Sequence, residues 1–96
     1  MSSELTEPLD PLEAKRHIRQ ILETGEFRFS RHAETEMAAD HLTTVDCVNV
    51  LRGGVVEPPD WENGSWRYRV CTGRMCVVIA FRSATALVVV TAWRIT

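Results

Sequence analysis

The chain has 96 residues, of which 45% are hydrophobic and 25% charged, and its formal net charge is −2. These values describe one small domain with a modest core and exclude a disordered or collagen-like chain. No stretch approaches the roughly 18 apolar residues of a membrane-crossing helix. Met1 to Thr6 are polar and acidic rather than charged-then-apolar like a signal sequence, so a cytoplasmic protein without membrane association is expected.

Residues 1–9 are expected to form a flexible tail, and residues 10–96 a single α+β domain. Asp10-Pro11-Leu12-Glu13 supplies an N-cap, a proline at the first helical position and a carboxylate at the third. Apolar residues then recur at Ala14, Ile18, Ile21 and Leu22, predicting an amphipathic helix that ends near Gly25 with His17 facing out. A second helix starts at Ser30, with Ala33 and Met37 inward and Glu34 and Glu36 in its early turns. Thr43-Thr44-Val45-Asp46 is a capping-box pattern for a third helix, whose expected apolar stripe is Val45, Val48 and Leu51 and which Gly53-Gly54 stops.

From Val55 the periodicity changes to that of strands. Val55-Val56 predicts a short edge strand, Glu62-Asn63-Gly64 a turn, and residues 65–71, 74–82 and 86–95 three longer strands. A two-residue Thr72-Gly73 link predicts an antiparallel hairpin with Cys71 opposite Arg74. That register gathers Trp66, Tyr68, Val70, Met75, Val77, Ile79 and Phe81 on one face. Arg67, Arg69, Arg74 and Arg82 then lie on the other, with small residues between them. For the last strand, a three-residue loop at 83–85 places Arg94 with the other arginines and Leu87, Val89, Thr91 and Trp93 in the core. A four-residue loop reverses this, and the first register is preferred because it keeps an arginine out of the core. The expected architecture is two to three helices on one face of a three- to four-stranded antiparallel sheet, with an open arginine face.

Charge is unevenly distributed along the chain. Beyond Glu62 there are five arginines and no carboxylate, so this third is +5 and the rest −7. Only Lys15 of the 11 basic residues is lysine. Guanidinium binds phosphate bidentately and stacks on bases, which points to a phosphodiester ligand. His32 falls in the first turn of the second helix, four residues before Glu36, and this spacing allows a contact between them. The helix N-terminus and Arg31 disfavour the imidazolium while Glu36 favours it, which suits a proton-transfer residue. Trp61, in the loop before the turn, is a candidate for stacking on a base. Cys47, Cys71 and Cys76 lack paired spacing and are expected as buried free thiols, with no metal and no cofactor.

Four segments carry a family resemblance: residues 28–33 (Arg-Phe-Ser-Arg-His-Ala), 45–53, 67–73 and 90–94 (Val-Thr-Ala-Trp-Arg). In order and spacing they resemble a small bacterial domain family related to the MqsR-type toxins. The resemblance implies a RelE-like or barnase-like α+β fold, metal-independent RNA cleavage, and neutralisation by an antitoxin protein. It implicates His32, Arg67, Arg69 and Arg94. The chain departs from the toxins at His32, where they carry serine, at Cys76, where they carry tyrosine, and in a shorter connection between the third helix and the sheet.

The expected function is a metal-independent endoribonuclease of toxin-antitoxin type. His32 serves as acid or base oriented by Glu36, Arg67, Arg69 and Arg94 stabilise the transition state, and Arg31, Arg74, Arg82 and Trp61 hold the RNA. The alternatives are a non-catalytic module of the same fold, binding a protein partner or RNA, and a small-molecule-binding accessory domain.

Overall fold

A computed structural model describes residues 5–96; the first four residues of the expected tail lie outside them. The remainder of that tail lies against the domain. Leu9 is buried, and the Tyr68 hydroxyl accepts from the Leu9 amide and donates to Glu7 Oε2, both at 2.9 Å. Burial, together with the Glu7 carboxylate, pushes the Tyr68 phenol well above its ordinary range.

Three helices form where the capping signals place them. Helix α1 spans Pro11–Thr24 behind Asp10, whose side chain accepts from the Glu13 amide. Its buried side is Ala14, Ile18 and Ile21. His17 does not face out as expected: it is half-buried, edge-on to Phe81 at 6.1 Å, and its Nδ1 is shut off without a partner among the described residues. Helix α2 spans Arg31–Ala39 behind Ser30, and α3 spans Thr44–Gly53 behind Thr43, where both halves of the capping box are made. The backbone and side-chain bonds from Thr43 hold the Asp46 carboxyl below its usual range. In α3 the buried residues are Cys47, Val50 and Leu51, whereas Val45 is 65% exposed and Val48 half-buried. The expected stripe is therefore rotated. Cys47 sits inward, and burial pushes its thiol up to about 11.

The sheet is larger than expected and mixed. Six strands, β1 (Glu26–Phe29), β2 (Val55–Val56), β3 (Asp60–Glu62), β4 (Ser65–Cys71), β5 (Met75–Ser83) and β6 (Ala86–Arg94), follow the order β1-β6-β5-β4-β2, with β3 also on β4. Strand β1 was not anticipated. It runs parallel to β6, putting Phe27 and Phe29 toward the core and Glu26 and Arg28 into solvent. Its start needs Gly25, because a Cβ there would lie 2.4 Å from the Thr85 carbonyl oxygen, which accepts from the Glu26 amide.

The β4–β5 turn is Gly73-Arg74, one residue later than expected: Thr72 N–H donates to the Met75 carbonyl at 2.9 Å, and Cys71 lies opposite Cys76. Moving the turn by one residue moves the pairing by two, so the paired side chains keep their expected faces, while Arg74, expected on the arginine face, passes into the turn. Tyr68, Val70, Met75, Val77, Ile79 and Phe81 are all buried on the helix side. The same pairing joins Cys71 and Cys76 in a disulfide, correcting the expectation of free thiols there; only Cys47 is free. Spacing along the chain could not show two cysteines facing each other across a hairpin.

Strand β6 changes register within its length. Phe81 lies opposite Leu87 and Ile79 opposite Val89, as expected, although the loop is only Ala84-Thr85 and a bulge at Arg82 makes up the difference. A second bulge follows at Val90, between the Ile79/Val89 and Val78/Thr91 pairs. An extra residue reverses the side-chain alternation beyond it. Ala92, opposite Val77, is buried, while Thr91 and Trp93 lie opposite Val78 and Cys76 on the open face. Ser30 braces the bulge: its amide donates to Val89 O and its hydroxyl to Val90 O, while the same oxygen caps α2 at the Ala33 amide. Among the described residues no helix is long and apolar enough to cross a membrane.

Candidate nucleic-acid interface

The helices cover one face of the sheet and leave the other open. Alternation outward from Tyr68 sets Arg67 and Arg69 on the open face of β4, and pairing with Val88 sets Arg28 there on β1. Arg82 borders with Arg28 a shallow cleft of about 330 Å³, whose wall includes Glu26, Phe27, Ala86 and Leu87. Between these arginines lie Ala80 and Val88, only 3% and 6% exposed although no helix among the described residues covers this face. Small and branched residues give a low floor, and long arginine stems lie over apolar surface while their heads stay wet.

Carboxylates border the face without neutralising it. Arg69 approaches Glu57 at 3.6 Å, a half-exposed pair of modest strength, and Asp60 pairs in register with Arg67. Arg67 Nε donates to Ser65 Oγ at 3.3 Å. Among the described residues, no carboxylate lies within 4.0 Å of the guanidinium nitrogens of Arg28, Arg67 or Arg82.

The aromatic residue on this face is Trp93. The Arg69 guanidinium lies over its ring, 5.7 Å from the centroid, and Cys76 is its direct cross-strand neighbour. The sequence alone predicts Trp93 in the core, because alternation from Leu87 carries it there when no bulge intervenes. Trp61, expected in the loop before the turn as a stacking residue, lies in β3 and is 60% exposed, edge-on to Trp66 with ring centroids 5.3 Å apart and on the parity of Trp66 rather than that of the arginines.

Arg94 leaves the arginine face for the same reason that Trp93 joins it. Its Nε donates to Asp40 O and its Nη2 to His41 O, while its amide donates to the Asp40 carboxylate at 2.8 Å. His41 adopts φ of 56° and Leu42 N–H returns to Met37 O, closing α2 so that the carbonyls just beyond its end meet this cation. Arg94 thus fastens the end of α2 to the end of β6. Of the remaining expected residues, His32 and Glu36 meet on α2, Nε2 to Oε1 at 3.7 Å, with both side chains well exposed. Arg31 is exposed at the start of α2, and Arg74 is exposed in the β4–β5 turn. No group of three or more His, Cys, Asp or Glu side chains converges among the described residues to offer a metal ion its ligands.

Fold and site together define a small α+β domain whose mixed sheet presents arginine and tryptophan on an uncovered face. The chain belongs to the family described as Domain of unknown function (DUF4258), whose model matches residues 29–94, from the last residue of β1 to the last of β6. No curated protein and no solved structure matches the chain.

Proposed function

We propose that this protein is a metal-independent endoribonuclease of toxin type, of the MqsR- and RelE-like kind, that grips single-stranded RNA on its open sheet face and is neutralised by an antitoxin protein. The observation that carries the reading is the gathering of Arg28, Arg67, Arg69 and Arg82 on a face that no helix among the described residues covers. The segment resemblance to the toxins supports the same direction. Guanidinium groups there hold phosphates and stabilise the extra negative charge that develops at phosphorus. His32, partnered by Glu36, takes the proton from a ribose 2′-hydroxyl. That oxygen attacks the adjacent phosphorus, the 5′-oxygen leaves and takes up a proton, and the products are a 2′,3′-cyclic phosphate and a 5′-hydroxyl. The reading places the protein in the cytoplasm, where the Cys71–Cys76 pair is open to reduction.

One observation favours a second reading, a non-catalytic RNA- or protein-binding module: Arg94 is engaged just beyond the end of α2 rather than presented with the other arginines. Cleavage assays in EDTA separate the two. The endoribonuclease reading predicts cyclic-phosphate products, no cleavage of 2′-deoxy substrate, and a loss of about 10²- to 10⁴-fold in His32→Ala. Purified protein that binds RNA without cutting it establishes the module instead.

A further inference from the structure

The Val90 bulge puts one aromatic ring among the arginines, and its surroundings have the chemistry of a base-binding step. Trp93 is half-buried, so the ring is fixed by its strand and still reachable. Cys76, half of the disulfide, occupies the opposite position on β5 and firms that end of the hairpin. Arg69 reaches from β4 across β5 to lie over the ring, and its other contact is the half-exposed Glu57. A planar cation over an indole occupies the place that a nucleobase would take, and a cation held by half-exposed contacts exchanges readily. Duplexed bases present no free face, so only an unpaired base can use such a platform.

We propose that Trp93 is a stacking subsite for an unpaired nucleobase, with Arg69 leaving the ring for a backbone phosphate whenever a chain binds, with or without its bases. This subsite rests on the reading of the open face as a phosphodiester-binding surface. It assigns the two residues different roles. Trp93 senses whether a base is present and unpaired, whereas Arg69 contributes charge irrespective of the base.

The test compares a short single-stranded oligoribonucleotide with an abasic ribose-phosphate chain of equal length, each titrated into the full-length protein. The base-bearing chain is expected to bind about 5- to 160-fold more tightly, the range for one stacked base. Trp93→Leu removes that advantage and leaves abasic affinity unchanged, while Trp93→Phe retains most of it. Arg69→Ala lowers affinity for both chains and preserves their ratio. The wild-type comparison needs no variant, and unchanged abasic affinity shows that Trp93→Leu is folded. Equal binding of the two chains, or an advantage that survives Trp93→Leu, overturns the subsite and leaves the arginine-face reading standing. Failure of the protein to bind either chain overturns both.

Discussion

The two halves of β6 are neighbours in one strand and obey opposite rules. In Ala86–Val89, Leu87 and Val89 enter the core and Val88 faces out; in 91–94, Ala92 enters, Thr91 and Trp93 face out, and Arg94 turns to the helices. A single unpaired residue, Val90, separates them, and Ser30 braces it by donating to Val89 O and Val90 O while its hydroxyl also caps α2. The bulge therefore serves two purposes. It brings an aromatic ring to the arginines, and it sends an arginine to the carbonyls of Asp40 and His41 just beyond α2, at the negative end of the helix dipole.

The most direct way to break this comparison is Ala92→Trp. With the bulge in place residue 92 points into the core, so an indole is forced into a site that now holds a methyl group, whereas uninterrupted alternation would put residue 92 on the open face and tolerate the change. The expected cost is about 1–3 kcal/mol or outright failure to fold, read by chemical denaturation. A variant of near wild-type stability would show that the two halves do not have separate registers.

Alkali sharpens the contrast between the two faces of the sheet. Burial raises both the Cys47 thiol and the Tyr68 phenol on the helix side. A group that holds its proton more tightly when folded loses that advantage once the unfolded chain deprotonates, so stability falls as pH rises. For Cys47 the window opens near 9.0 and closes at about 11. Melting temperatures measured across it should decline, and Cys47→Ala should flatten the part that Cys47 contributes.

A smaller effect divides Arg94 from Arg69. Arg94→Ala should cost about 1 kcal/mol through the loosened end of α2 and leave RNA affinity unchanged. Arg69→Ala should do the reverse. Paired denaturation and RNA-titration curves check both halves of that statement.

Local chemistry made much of this fold legible. Asp10, Ser30 and Thr43 are all N-caps, because a side-chain oxygen beside free amides works independently of the rest of the fold. The faces of β4 and β5 followed from period-two alternation, and they survived a misplaced turn because the error shifted pairing by two. Three features depended on distant partners and were not legible. Strand β1 is four residues long and gains its place only by parallel pairing with β6. The Cys71–Cys76 disulfide required the true turn at Gly73-Arg74. The Val90 bulge lies in a run of residues apolar on both faces, where alternation carries no information. Trp93 was misplaced on that account, and Arg94 with it; an arginine and a tryptophan adjacent at the end of an apolar strand were the available signal.

The central claim is that the open sheet face binds an RNA backbone through its arginines, and the dependence of affinity on salt tests it most directly. For wild-type protein and single-stranded RNA, log affinity against log salt should fall with a slope of about −0.7 for each phosphate engaged. Replacing Arg67 and Arg69 together by alanine should make the slope shallower by about 1.4 while stability moves within about 1 kcal/mol. An affinity indifferent to salt, or a slope that the double variant leaves unchanged, would contradict the account.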